Sequence, residues 1–293
     1  MITIHHRVAE ARDRLRAAGI APAEADLSAR LLAEHLLGWD TARLFTSGSD
    51  VEPAGFAGSF DALVARRAAR EPLPYIVGHR EFWGLDLEVS PAVLIPRPDT
   101  ELIVEVALEL FPSPTGRLAV AEAGTGCGCL AVAIACERPN AHVTATEISE
   151  AALEVARRNA RRHGVADRIT FLQGDLLAPL SAGGGLGGNF DFDFIMANPP
   201  YVAERSRPGL QPEVRDHEPD VALFGGDDGL HLIERLVDQA PARLRPGGYL
   251  AFEFGCGQDE DIERLLTAAA GLELLELRRD LQGVARTAVA RRV

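Results

Sequence analysis

The sequence predicts an α/β fold, with a Rossmann-like, mostly parallel sheet of seven strands preceded by a small helical bundle. Three observations support this. From about residue 96 onward, short apolar runs alternate with amphipathic segments, and repeated βα units form parallel sheets with helices on both faces. A glycine-rich stretch, AGTGCGC at 123–129, separates the first apolar run from the next helical segment. In residues 1–78 the apolar residues recur at helical intervals alone, with no strand-like alternation.

The N-terminal part predicts helices and then a hairpin. Leucines in EADLSARLLAEHLLGW recur at helical intervals until Gly38, and a second amphipathic segment runs from Phe56 to Val64. REFWGLDLEVS at 80–90 instead alternates around a central glycine, which predicts a β-hairpin. We therefore expect three parts: a helical domain at 1–78, a β-hairpin linker at 79–95 and a sheet domain at 96–293.

The sheet domain contains seven segments that we assign as strands. The expected strands are 118–123, 141–146, 169–173, 192–197, 249–254, 272–279 and 284–291, the last two forming an antiparallel pair. The expected helices between them are 129–137, 150–162, 230–244 and 260–270. SAGGGLGG at 181–188 is a low-complexity loop to which we assign no function.

Charge and composition exclude several classes of site. All 30 basic residues are arginine, which rules out a lysine Schiff base and the lysine of a phosphate-binding P-loop. The net charge is −13, of which residues 1–78 carry −1 and the remainder −12. So acidic a sheet domain is a poor match for duplex DNA, whose binding depends on phosphate neutralisation.

No segment predicts a membrane span, a signal peptide or a metal site. The longest apolar stretch, 118–136, is interrupted by Glu122 and by glycines, so we expect a cytoplasmic protein. Cys127, Cys129 and Cys136 lack a second ligand pair at zinc spacing, and we interpret them as buried thiols.

The glycine-rich turn predicts a nucleotide-type cofactor site. Gly124, Gly126 and Gly128 allow the backbone to turn sharply and to approach a ligand. Glu147 ends the next strand, where a carboxylate binds the two hydroxyls of a ribose. This pair of features fits nicotinamide and S-adenosylmethionine sites alike, but Cys129 occupies the position where the dinucleotide pattern requires glycine. The spacing is the variant that methyltransferases favour.

A second motif follows the fourth expected strand. Pro199 and Pro200 end that strand because proline cannot continue it. Their carbonyl oxygens remain as acceptors beside the side chain of Asn198, an arrangement that suits an NH₂ group. Ligands of doubly wound sheets bind outside the carboxyl ends of the strands, where Asn198 and Glu147 are expected to meet.

These motifs resemble those of amino methyltransferases that act on NH₂ groups conjugated to a π-system. LIPRPDTELIVE (94–105), HEPDVALFGGDDGL (217–230) and DLQGVAR (280–286) narrow the resemblance to the peptide chain release factor N5-glutamine methyltransferase family, over nearly the whole chain. The resemblance implies a class I methyltransferase sheet that uses S-adenosylmethionine and no metal. It also implies the glutamine of the Gly-Gly-Gln motif of class 1 peptide chain release factors as substrate, with the helical domain docking that protein.

The resemblance implies roles for individual residues. Asn198 and Pro199 accept the N–H groups of the substrate amide, Tyr201 flanks its plane, and Pro200 completes the substrate-binding loop. The implied cofactor-binding residues are Gly124, Thr125, Gly126, Cys127, Gly128, Glu147, Asp175, Leu176 and Asn198. Glu122 and Glu147 stand where the family usually has aspartate, and Leu176 where an aromatic residue often flanks the adenine.

Two further sets of residues have open interpretations. The first set consists of Arg97, Asp99, Thr100 and Glu101. These residues either close over the cofactor or, in the case of Asp99 or Thr100, cap the start of a helix. His217 and Glu218 either support the site or lie in a solvated loop, and we favour the loop.

Three alternative functions stay open at this point. The nearest is methylation of a glutamine in a ribosomal protein. An adenine-N6 DNA methyltransferase fits less well, because residues 79–293 carry a net charge of −12 and no target-recognition domain is evident. A nucleotide-binding module without catalysis would not need the Asn-Pro-Pro-Tyr motif.

Overall fold

The computed structural model describes residues 2–181 and 192–293. The glycine-rich loop at 181–188 therefore lies outside the described residues except for Ser181. Two compact units form: the first comprises 1–78 and 211–217, and the second comprises 79–210 and 218–293. Among the helices that the structure describes, none has the length and apolar character to cross a membrane.

The first unit is a helical bundle. Its helices are α1 (Ile4–Ala17), α2 (Pro22–Leu37), α3 (Thr41–Ser47), α4 (Phe56–Ala68) and α5 (Leu73–Val77), joined by the later short helix Pro212–His217. The Thr3 and Asp40 side chains accept backbone N–H groups at the starts of α1 and α3. Leu15 and Leu32 are fully buried, and Phe56 stacks on Phe60 with ring centroids 5.0 Å apart. Apolar packing and capped ends thus explain the bundle.

Arg67 of α4 holds the late segment 211–217 within the first unit. Its side chain is 1% exposed and donates to Glu24 at 2.5 Å and to Glu213 at 3.0 Å. Arg70 donates to the other oxygen of Glu213 at 2.7 Å. The sequence did not predict that residues so far along the chain belong with the helices.

The second unit begins with a hairpin of β1 (His79–Phe82) and β2 (Leu85–Glu88). Its two-residue turn places Trp83 and Gly84 at φ values of 54° and 71°, the combination that a tight hairpin turn requires. The hairpin groups with the sheet domain that follows it.

A seven-stranded sheet forms the centre of the second unit. Its strands are β3 (Leu118–Ala123), β4 (Ala141–Glu147), β5 (Ile169–Gln173), β6 (Phe192–Ala197), β7 (Leu244–Glu253), β8 (Leu272–Arg279) and β9 (Ala285–Arg292). Their order is β5-β4-β3-β6-β7-β9-β8, and only the pairs β7–β9 and β8–β9 are antiparallel. The predicted Rossmann-like fold class is confirmed.

Helices cover the sheet and connect its strands. They are α6 (Glu101–Leu110), α7 (Cys129–Glu137), α8 (Glu150–Arg162), α10 (Asp220–Leu223), α11 (His231–Gln239) and α12 (Asp259–Ala268). The label α9 denotes the helix Pro212–His217, which belongs to the first unit. Phe194 and Phe252 are fully buried within the central strands, as expected of parallel strands packed on both faces. The chain crosses from β5 to β6 on the other side of β3, so a crevice opens at the carboxyl ends of β3 and β6.

Two predicted boundaries were wrong. The helix expected over 230–244 ends at Gln239 and continues only as one 3₁₀ turn that contains Pro241, since proline lacks the N–H that an α-helix needs. The strand expected from Tyr249 begins at Leu244 instead and runs through Gly247. Glycine weakens the apolar alternation by which a strand is recognised.

Candidate active site

A cavity of about 270 Å³ lies at the carboxyl ends of the central strands. It brings together most of the cofactor-binding and loop residues that the sequence predicted: Gly124, Thr125, Gly126, Cys127, Glu147, Asp175, Leu176, Asn198 and Pro200. Gly128, Pro199 and Tyr201 stand outside its lining. Further wall residues had no individual role predicted from the sequence. Leu94 and Pro96 lie in the LIPRPDTE stretch and Val221, Ala222 and Phe224 in the HEPDVALFGG stretch, and the others are Ala92, Val93 and Arg235 of α11.

The glycine turn forms one wall of the cavity. Gly124 and Gly126 have φ values of 72° and 55°, and a Cβ on either would meet no atom within 4 Å. These glycines therefore serve the backbone conformation and leave open space on the ligand side. Gly128 serves packing instead, because a Cβ there would lie 3.1 Å from the Cβ of Ala156 on α8.

Glu147 is held by backbone donors at the end of β4. Its Oε2 accepts the N–H of Gly126 at 2.9 Å, and its Oε1 accepts the N–H of Ser149 at 3.0 Å. Each carboxylate oxygen has a further lone pair. The side chain is thus fixed at the cavity wall with acceptor capacity that the protein does not use.

Glu122 lies beneath the glycine turn with 1% exposure. Burial raises its pKa to about 8, even though the hydroxyl of Thr125 donates to its Oε2 at 2.6 Å. The nearby carboxylate of Glu147 also raises this pKa. Near neutral pH the Glu122 side chain is therefore mostly uncharged.

Asp175 and Leu176 follow β5 at the far wall. Leu176 adopts a φ of 47°, which is uncommon for a residue with a branched side chain. Its carbonyl accepts the hydroxyl of Thr146 at 2.7 Å, which fixes this conformation. Asp175 pairs with Arg235, an arginine of α11 that no sequence pattern indicated.

The Asn-Pro-Pro-Tyr loop is tied to two residues that lie far away along the chain. Asn198 Nδ2 donates to the Thr100 hydroxyl at 2.9 Å, and that hydroxyl donates to Glu253 Oε2 at 2.5 Å. The Tyr201 hydroxyl donates to Glu253 Oε1 at 2.8 Å. Burial raises the pKa of Tyr201, so its phenol keeps the proton that it donates. Sequence analysis missed Glu253; its only signal was an acidic residue ending the apolar strand YLAFE.

Glycines of the FGGDDGL stretch pack directly against this loop. A Cβ on Gly225 would lie 2.4 Å from the carbonyl oxygen of Pro200, and one on Gly229 would lie 2.2 Å from that of Tyr201. The N–H of Gly225 donates to the Val202 carbonyl at 3.0 Å. These glycines therefore let two backbones approach closely and support the loop from behind.

The residues of LIPRPDTE have separate partners. Arg97 pairs with Glu218, Asp99 with Arg286, and Glu101 accepts the backbone N–H of Trp83. Thr100 stands at the N-cap position of α6, as the capping interpretation expected, but neither its side chain nor that of Asp99 makes a capping hydrogen bond. Thr100 alone of this group lines the cavity.

Glu218 is buried, so the solvated loop that we favoured was wrong for this residue. It is 5% exposed and accepts the N–H of Ile95 at 3.3 Å and a guanidinium N–H of Arg97 at 2.6 Å. It thereby fixes the segment that carries Pro96 to the cavity wall. Within the described residues, no three His, Cys, Asp or Glu side chains gather in a way that would hold a metal ion.

Known proteins resemble this chain along its whole length. The family model for the PrmC N-terminal domain matches residues 8–78, and the model for the methyltransferase small domain matches residues 102–210. A release factor glutamine methyltransferase from Nitratidesulfovibrio vulgaris is 42% identical, covering 99% of this chain and 95% of that protein. One from Moorella thermoacetica is also 42% identical, over 91% and 90%.

The chain belongs to the release factor glutamine methyltransferase family. The family resemblance drawn from the sequence motifs is thus confirmed, as is the prediction that the chain is a methyltransferase.

Solved structures agree at the level of the fold. A methyltransferase from Pyrococcus furiosus is 22% identical with a TM-score of 0.51, covering 78% of this chain and 98% of that one. The N-terminal domain of human METTL16 is 18% identical with a TM-score of 0.51, covering 77% and 82%. At these identities the likeness concerns the sheet and its helices.

Proposed function

We propose that this release factor glutamine methyltransferase family member transfers a methyl group from S-adenosylmethionine to the side-chain nitrogen N5 of a glutamine. The substrate is the Gly-Gly-Gln motif of class 1 peptide chain release factors, and the place of action is the cytoplasm. One observation carries the proposal: the NH₂ of Asn198 is bound to Thr100. Its Oδ1 is thereby left as an acceptor at the wall of the cavity that also holds Glu147 and the glycine turn.

The cavity residues fit S-adenosylmethionine. The open side of Gly124 and Gly126 admits a ligand close to the backbone. The spare lone pairs of Glu147 suit the two ribose hydroxyls, and the partly apolar wall at Leu176 suits an adenine ring. When bound, S-adenosylmethionine supplies a methyl group activated by its sulfonium.

The substrate amide is a poor nucleophile because its nitrogen lone pair is delocalised into its carbonyl. The chain has two acceptors that suit the N–H hydrogens of that amide, Asn198 Oδ1 and the Pro199 carbonyl. Accepting both hydrogens fixes the nitrogen in one orientation and stabilises the positive charge that develops on it. Pro200 and the ring of Tyr201 bound the planar amide. These roles require that Asn198 face the substrate with its oxygen.

The helical unit is the proposed docking surface for the protein substrate. It exposes the large apolar side chains Phe45 and Leu27, which are 70% and 44% accessible. Residues 1–78 carry a net charge of only −1. We therefore expect docking by shape and apolar contact, with weak dependence on salt.

A labelling experiment tests the function. The purified enzyme is incubated with S-adenosylmethionine carrying a labelled methyl group, and with release factor, ribosomal proteins or adenine-containing DNA in parallel. Mass spectrometry of the digested release factor should place one methyl group on the glutamine of Gly-Gly-Gln. A release factor with glutamate in place of that glutamine serves as the control and should stay unlabelled. Labelling of the ribosomal protein alone, or of DNA alone, would refute the proposal.

A further inference from the structure

We propose that Thr100 and Glu253 are positioning residues that set which end of the Asn198 amide faces the substrate. The proposal rests on the function proposed above, since it assigns Asn198 Oδ1 to the substrate amide. Neither residue touches substrate; both act through Asn198.

The three side chains form a continuous hydrogen-bonded series. Asn198 Nδ2 lies 2.9 Å from Thr100 Oγ1, and Thr100 Oγ1 lies 2.5 Å from Glu253 Oε2. Thr100 and Glu253 are each 1% exposed, so water does not compete for these bonds. The other oxygen of Glu253 accepts the Tyr201 hydroxyl at 2.8 Å.

The direction of the series follows from proton counting. The hydroxyls of Thr100 and Tyr201 both donate to Glu253, one to each of its carboxyl oxygens. A threonine hydroxyl has one proton, and it is committed to Glu253. Towards Asn198 the Thr100 oxygen offers only lone pairs, and among the two ends of the amide only the NH₂ satisfies them.

The opposite orientation of the Asn198 amide is disfavoured for two reasons. It would place Oδ1 against the Thr100 oxygen with no proton between them. It would also present an NH₂ to the substrate NH₂, so that two donors face each other and a buried polar pair is left unsatisfied. Glu253, through Thr100, thus gives Asn198 the acceptor that the reaction needs.

Charged groups around Glu253 decide how well it performs this role. The pKa of Glu253 is raised above its ordinary value, mainly by burial and also by the charge of Asp99, while the Thr100 and Tyr201 hydroxyls and the charge of Arg286 lower it and offset part of this rise. Arg286 pairs with both Asp99 and Asp280. The DLQGVAR stretch therefore brings a positive charge towards the carboxyl group that accepts both hydroxyls.

A double-mutant cycle tests the proposal by activity. Thr100→Val keeps the shape but removes the hydroxyl, and we expect kcat on release factor to fall about ten- to hundredfold. Thr100→Ser should restore most of the rate. Because Thr100 acts through Asn198, Thr100→Val/Asn198→Ala should be no slower than Asn198→Ala in single-turnover assays. The proposal would be overturned if the rate losses of Thr100→Val and Asn198→Ala multiplied in the double variant. It would also be overturned if Thr100→Ser did not restore the rate.

A second readout does not depend on activity. The chain has four asparagines, so selective ¹⁵N-asparagine labelling gives few side-chain amide signals, and Asn198→Ala identifies that of Asn198. We expect its NH₂ hydrogens to exchange slowly in the wild type and in Thr100→Ser, and faster in Thr100→Val and Glu253→Leu. If the Asn198 NH₂ hydrogens of the wild type exchange as fast as those of a free amide, the positioning role is overturned even if the enzyme is active. A protected amide in an enzyme that does not methylate release factors would instead leave the positioning role standing and refute the proposed function.

Discussion

Arg67 and Glu213, 146 residues apart in the chain, form a buried ion pair within the helical unit, with Nη1 and Oε1 3.0 Å apart. Burial raises the pKa of Glu213, but hydrogen bonds from Arg70 and Arg67 outweigh it and bring this pKa below its ordinary value. The helical unit is therefore completed by residues 211–217, which lie beyond the 8–78 range of its family model.

Arg67→Met should destabilise the helical unit by about 3 kcal/mol, because it leaves the buried Glu213 with only Arg70 as a partner. Urea unfolding followed by circular dichroism measures the change. Arg66→Met is the matched control: Arg66 lies on the same helix, pairs with Glu71 and is 45% exposed, so we expect about 0–1 kcal/mol. Equal losses in the two variants would contradict the assigned role of Arg67.

Much of the sheet was predictable from short-range patterns. The bounds of β3, β5, β6, α7 and α8 agree with the prediction residue for residue. The strands and α7 are largely apolar runs, and α8 is an amphipathic segment whose apolar residues recur at helical spacing. The positions of the glycine turn and Glu147 at the ends of two strands predicted that both line the ligand site, since ligands of such sheets bind at the carboxyl ends of the strands. The start of β7 was missed because its first half, LRPGG, contains a proline and two glycines, which are depleted in strands.

Long-range polar contacts were not predictable. The bonds that join Asn198, Thr100 and Glu253 link three separate stretches, and no local spacing encodes them. The same holds for the pair Arg67–Glu213. A single sequence shows which residues are polar and where they stand, but a hydrogen bond across such distances is fixed only by the completed fold.

Gly229→Ala should displace the loop that carries Tyr201. The new Cβ would lie 2.2 Å from the Tyr201 carbonyl oxygen, and Gly229 has a φ of 85°. We expect a loss of about 1–3 kcal/mol in the free energy of unfolding, together with a lower kcat. Gly209→Ala is the control, since a Cβ there meets no atom within 4 Å, and it should stay within about 0.5 kcal/mol of the wild type. Similar values for both would argue against backbone crowding.

Glu122 should make stability fall as the pH rises. Its pKa is about 8 in the folded protein against an ordinary value of 4.5, so its contribution to stability is complete below pH 4.5 and is lost as the pH approaches 8. Glu122→Gln keeps an uncharged side chain throughout. Between pH 5.5 and 7.5 we expect the free energy of unfolding of the wild type to fall by about 2–3 kcal/mol more than that of the variant, at ~1.4 kcal/mol per pH unit. Urea unfolding at the two pH values measures this difference, and parallel changes would contradict a buried neutral carboxyl.

Glu147→Ala should weaken S-adenosylmethionine binding by about ten- to hundredfold, or roughly 1.5–3 kcal/mol, because it removes the acceptor for the ribose hydroxyls. Isothermal titration calorimetry gives the affinity. Glu150→Ala is the control: this carboxylate stands close by in the first turn of α8, pairs with Arg157 and is 50% exposed. Unchanged affinity in Glu147→Ala would place the ribose elsewhere.

Phe45→Asp should raise the KM for release factor about tenfold without changing cofactor affinity. Phe45 is 70% exposed in the helical unit, and losing one apolar anchor of a protein interface costs on the order of 1–2 kcal/mol. Leu281→Asp is the matched control, because Leu281 is the more exposed side chain but stands in the β8–β9 turn of the other unit. Steady-state kinetics at two salt concentrations should show the effect of Phe45→Asp at both, since residues 1–78 carry a net charge of only −1. An unchanged KM in Phe45→Asp, or a rise in Leu281→Asp alone, would move the docking surface away from the helices.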